Sequence, residues 1–131
     1  MNKIIYFLIG LIFISSFAFE IFAQENNPPQ WDLKSYQMVF LYRGENRGQD
    51  SLETEKIQSA HLANIQRLMD EGKMIVAGPF LDNQDLRGIF IFDCESVDEV
   101  EDLLNTDPAI IAGRLRYEIR PWMTAKGTCF K

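Results

Sequence analysis

His61 is the only histidine in the chain, and it stands in the run HLANIQRLMDEGKMIVAGPF, residues 61–80. An imidazole titrates near neutrality, so one set in a cleft can take and return a proton without help from a metal. Ile57, His61, Ile65 and Leu68 recur at spacings of four, four and three, which is one stripe of a helix. A histidine on that stripe is either a general acid/base at a cleft edge or a core ring held by a carbonyl or carboxylate. Gly78-Pro79 closes the next apolar run; it is a turn beside the cleft with substrate contacts, or a plain strand terminator. Arg114, Arg116 and Arg120 are candidate carboxylate binders, because a guanidinium grips a carboxylate with two parallel bonds; the alternative is a solvated strand face. Phe80 and Trp122 either wall a pocket or fill core. Ser59 and Thr106 lie near these candidates, but no GxSxG surrounds any serine, so acyl transfer has no support. With no CxxC and no His/Cys cluster, no structural zinc is expected, and the general acid/base reading of His61 calls for no metal and no organic cofactor.

The elements that must position these residues follow from the changes of period. YQMVFLYR (36–43) is aromatic and β-branched and predicts a strand, and GENRGQDS (44–51) a loop. The helical stripe follows, with Glu53 and Glu55 favourable to the helix dipole at its start and Gly72 as its C-terminal stop. Strands are expected over 73–80 and 89–94, with a turn region at 81–88 between them. Ser96 with Glu99 three residues later predicts a capped helix with Val97, Val100, Leu103 and Leu104 on one face. Asp107-Pro108 reads as an N-cap and first helical residue of a short turn, and 114–123 as the last strand. The order β-α-β-β-α-β is the ferredoxin-like arrangement, an α+β fold with an antiparallel sheet and both helices on one face.

Strand patterning adds a constraint. The last strand alternates, with Leu115, Tyr117 and Ile119 against Arg116, Glu118 and Arg120. The first does not: Tyr36, Met38, Phe40 and Tyr42 take one face while Val39 and Leu41 take the other. Likewise Ile89 and Ile91 oppose Phe90 and Phe92. Only one face can lie under the helices, so the other is expected to be covered by a second copy, sheet to sheet, or to line a pocket.

The N-terminus stands apart. MNKIIYFLIGLIFISSFAFEIFAQ carries one early cation and then a long apolar run ending at Ala23, the pattern of a signal peptide over 1–23. An uncleaved anchor is the rival reading; cleavage would leave no stable membrane span. Export to the periplasm or outside the cell is expected, with residues 24–35 as a flexible leader, 36–123 as one domain and 124–131 as a tail. A net charge of −6 without clustered cations argues against nucleic acid as a partner. Export permits a Cys94–Cys129 disulfide; a buried Cys94 and a loose Cys129 is the plainer reading.

The His61 run, the DPAIIAGRL segment and the IRPW ending at 122 together resemble the YciI-like (YCII-related) domain over about residues 36–123. That family is similar in fold to the dimeric α/β barrels, ferredoxin-like protomers packed sheet to sheet. The resemblance implies a homodimer and a site made by His61 and Asp107, with the carboxylate orienting the ring. It also implies relatives such as muconolactone isomerase, which shift or eliminate protons on small organic acids or lactones. Two function classes therefore stand: a cofactor-independent enzyme with a His61–Asp107 pair, aided by Gly78, Pro79 and Arg114, or a non-catalytic dimeric module that binds a small molecule or a partner protein.

Overall fold

The computed structural model describes residues 30–128. The expected signal peptide, the first part of the leader and Cys129 lie outside them. A compact unit begins at Asp32. Its elements run β1 (Leu33–Arg43), α1 (Ser51–Asp70), β2 (Met74–Pro79), β3 (Leu86–Phe92), α2 (Val97–Leu104), α3 (Pro108–Ile111) and β4 (Leu115–Ala125). The four strands form one sheet in the order β2-β3-β1-β4, with every neighbouring pair antiparallel. This is the ferredoxin-like topology, with the short α3 added before the last strand. Among the described residues no helix is long and apolar enough to cross a membrane.

Local chemistry sets the helix ends. Asp50 caps α1 by accepting from the Glu53 amide at 2.8 Å. Gly72 ends it at φ +70, a backbone that favours glycine, and Lys73 N–H closes back onto the Leu68 carbonyl at 3.0 Å. Ser96 caps α2 through the Glu99 amide at 3.1 Å. The returning arm of the expected capping box lands one residue early: Glu99 accepts from the Glu95 amide at 3.3 Å and from Lys73 Nζ at 2.6 Å.

Cross-strand register confirms the facing of the strands. Val39 pairs with Phe90 and Ile119, and Met74 with Phe92. These residues join Leu68 of α1 and Val100 and Leu104 of α2 in one core, with Leu115, Tyr117 and Ile119 packed against it. Both helices thus cover the same side of the sheet. On the opposite side Met38, Phe40, Val76 and Ile89 are only half-buried.

Several boundaries differ from expectation. β1 starts three residues early because Leu33, Lys34 and Ser35 pair with Ala125, Thr124 and Met123. The leader and tail therefore meet in one ladder, and a Lys34–Asp93 ion pair of 2.6 Å fastens that end. β3 begins at Leu86, inside the expected turn, through pairing of Gly88 with Pro79. A Cβ on Gly88 would lie 2.6 Å from the Gly78 carbonyl oxygen, so close strand approach demands glycine there.

Candidate functional site

α1 buries Ile57, His61, Asn64 and Leu68, a stripe that differs from the expected one by admitting Asn64, while Ile65 is half-buried against the core. The stripe carries the His61 ring inward until it is 8% exposed. Asp107 reaches the same point from the N-cap of α3 and is 1% exposed. His61 Nδ1 lies 2.8 Å from both Oδ1 and Oδ2 of Asp107. A carboxylate offers only acceptors, so Nδ1 carries the proton and donates it. Asp107 Oδ1 also accepts from the Ala109 amide at 2.8 Å. Capping and orienting are therefore one arrangement: the helix start fixes the carboxylate, and the carboxylate fixes the ring.

With Nδ1 engaged, Nε2 is the nitrogen left for chemistry, and it makes no hydrogen bond to the described residues. His61 lines a cavity of about 390 Å³ between α1 and the sheet, within the usual size range for small-molecule sites. Phe90 forms part of its wall, its ring centroid 6.2 Å from that of the imidazole. Asp107 is behind the ring and does not line the space.

The other expected site residues sort cleanly. Gly78, Pro79 and Arg114 all line the same cavity as His61. Arg114 is held by Gln49 Oε1 at 2.8 Å and Thr54 Oγ1 at 3.2 Å. Arg116 and Arg120 are instead exposed and paired with Asp85 and Glu118, each at 2.6 Å, on the far face. Phe80 and Trp122 are exposed and contribute nothing to the cavity. Arg47, from the loop after β1, and Arg87, near the start of β3, also line it. Partial loss of hydration, with the charges of Arg114, Arg43 and Arg87 nearby, holds Arg47 below the ordinary arginine value. Among the described residues no group of three His, Cys, Asp or Glu is placed to hold a metal ion.

A four-stranded antiparallel sheet with its helices on one side is a ferredoxin-like α+β fold, the fold that muconolactone isomerase also has. The chain belongs to the YCII-related domain family, which it matches over residues 38–123. It is 26% identical over 80 residues to the uncharacterised protein YjpA of Bacillus subtilis (strain 168), across 58% of this chain and 92% of YjpA. Muconolactone isomerase is similar in fold, with a TM-score of 0.57 at 16% identity, across 73% of this chain and 96% of that one. The 5-chloro-2-hydroxyhydroquinone dehydrochlorinase TftG from Burkholderia phenoliruptrix AC1100, solved with 2,5-dihydroxybenzoquinone, is 31% identical. That match covers 65% of this chain and 92% of TftG, with a TM-score of 0.47.

Proposed function

We propose that the chain is a cofactor-independent enzyme that moves a proton on a small organic acid or lactone, by isomerisation or elimination, with His61 as general acid/base. The observation that carries this reading is the doubly engaged Nδ1. Asp107 holds both of its oxygens 2.8 Å from that nitrogen, so Nε2 is presented to the cavity as a lone pair ready to accept a proton. As the imidazolium forms, the buried carboxylate stabilises it, as in other base–carboxylate pairs. Arg114 binds the substrate carboxylate, and Gly78 and Pro79 shape the wall opposite. The proton taken at Nε2 returns to another carbon in isomerisation, or stays while a leaving group departs in elimination.

Imidazole ¹⁵N spectra test the pair. Expected is the Nδ1–H tautomer in the wild type and a redistribution of tautomers in Asp107→Asn. Spectra identical in the two proteins, or an Nε2–H tautomer in the wild type, would sink the proposal and leave the chain a binding module.

The working form is a homodimer joined through the uncovered sheet face. Met38, Phe40, Val76 and Ile89 form its apolar part, and Arg116, Glu118 and Arg120 supply both signs of charge, as a two-fold contact needs. Sedimentation should report two chains, and one chain for Phe40→Glu. The apolar run at 1–23 supports export, which N-terminal sequencing of the mature protein checks.

A further inference from the structure

Six of the seven arginines fall into two groups; the seventh, Arg43, is exposed and donates to Asn83 Oδ1 at 2.9 Å outside the cavity. Arg67, Arg116 and Arg120 each meet a carboxylate, Glu71, Asp85 and Glu118 respectively, within 2.8 Å. Arg47, Arg87 and Arg114, the three that line the cavity, have no carboxylate within ion-pair range among the described residues. No aspartate or glutamate lines the cavity at all. Yet the chain holds 19 acidic residues to 13 basic ones, so a lining of three cations with no acid runs against its composition.

The hydrogen bonds of these arginines aim them rather than neutralise them. Arg114 is held by two neutral side chains, Gln49 and Thr54. Arg87 Nη1 donates to the carbonyls of Asp82 and Gln84 at 3.3 and 3.1 Å and to Asn83 Oδ1 at 3.3 Å. Arg47 Nη1 donates to the Arg114 carbonyl at 3.3 Å. In each case one Nη1 is tied to neutral oxygens, and no donor of the fork meets a carboxylate. Arg114 and Arg87 are half-buried while Arg47 is exposed, so Arg47 stands at the rim. Like charges gathered beside a low-dielectric wall repel one another, and an anion among them relieves that repulsion. The crowding is also what helps to depress the Arg47 value.

A carboxylate, with two oxygens and about four acceptor sites, has room for at most two guanidinium forks. Three forks around one small cavity exceed what a monoacid can satisfy. We propose that the cavity takes a small acid with two anionic groups, one bound by Arg114 and the other shared by Arg47 and Arg87. This rests on the cavity being the substrate site, and it narrows the substrate to a dianion. His61 Nε2 then faces the carbon chain between the two charged ends, and Arg47 and Arg87 decide which acids enter.

Calorimetric titration of the full chain with glutarate, adipate, their monomethyl esters and 3-phosphonopropionate tests this. Expected is binding of at least one diacid about tenfold more tightly than its own monoester. Arg47→Gln and Arg87→Gln should reduce the diacid to the affinity of the monoester and leave the monoester unchanged; Arg114→Gln should weaken both. Arg47→Lys, which keeps the charge and loses the fork, should lie between, and thermal unfolding of each variant checks folding. A tighter phosphonopropionate complex assigns the second group as a phosphate, and a tighter diacid complex assigns it as a carboxylate. Equal affinity for diacid and monoester, equal weakening of both by Arg47→Gln, or no binding by any member of the series would overturn the proposal. Repeating the titration in His61→Asn separates the two readings. A diacid preference retained there stands whether or not the protein catalyses, whereas the ¹⁵N spectra report on the base alone.

Discussion

Phe92, Val39, Leu68, Val100 and Leu104 fill one half of the space between sheet and helices, each at most 1% exposed; His61, Arg87, Arg114 and two glycines line the other half. The same elements build both. Along β3 the helix-facing residues read Phe92, Phe90, Gly88; along β2 Met74 gives way to Ala77; along α1 Leu68 and Ile65 lead to His61. Side-chain volume falls toward the cavity along β2 and β3, and polarity rises toward it along α1. The covering helices follow suit, since α2 has eight residues and α3 only four. The cavity is therefore written into residue size along continuous strands, and the packed half holds its walls in place.

That division predicts effects of opposite kind from the two halves. The largest loss of stability should come from Leu68→Ala in the packed half, about 3 kcal/mol by urea unfolding, because a fully enclosed leucine leaves a cavity its neighbours cannot fill. Anion affinity in that variant should be unchanged. A Leu68→Ala protein that lost anion affinity without losing stability would break the comparison.

Asp107 sits on the seam and should show both kinds of effect at a smaller size. Asp107→Ala removes the acceptor of a buried Nδ1–H and of the Ala109 amide together, a loss of about 2–3 kcal/mol. Asp107→Asn keeps one oxygen for the cap and should lose about 1 kcal/mol. Under the proposed mechanism the proton transfer should fall severely in both, because neither side chain can stabilise an imidazolium. Equal unfolding midpoints for the two variants would show that the carboxylate contributes through charge alone.

The same contrast explains what could be read from sequence. Element order was legible because helical and strand periods differ sharply, as in Ile57–Leu68 against Leu115–Ile119. Strand ends were not, since nothing in Leu33–Ser35 or Met123–Ala125 reveals that each pairs with the other across the length of the domain. His61 stood out by type and by its place on the stripe. Its pairing with Asp107, 46 residues away, was legible only through family resemblance, because an Asp-Pro N-cap looks the same whether or not a ring lies behind it. Arg47 and Arg87 escaped notice for a related reason. A loop arginine that faces a cavity has the same local sequence as one that faces water, and only the fold brings the three guanidiniums together. Asn64 broke the apolar stripe because Arg67 and Thr106, with Nη2 at 2.7 Å and Oγ1 at 3.3 Å, satisfy its Oδ1.

The smallest effect concerns Cys94, a buried titratable side chain of the packed half. Burial, with Glu99 beside it, pushes its thiol up to about 11, from an ordinary 9.0. The neutral form is the one the fold favours, so the stability it contributes is complete below the unfolded-state value and declines as pH rises from there toward the folded one. In a Cys129→Ser background, Cys94→Ala should flatten a shallow alkaline decline in unfolding midpoint and leave neutral pH little affected. Thiol reagents should label Cys94 only as fast as the protein opens, since only a thiolate attacks. His61, at 8% exposure beside a cavity, should by contrast react with diethyl pyrocarbonate in the folded protein, and a bound diacid should protect it. Rapid labelling of Cys94 would mean that the packed half admits water, and the two halves would then differ in residue type but not in access.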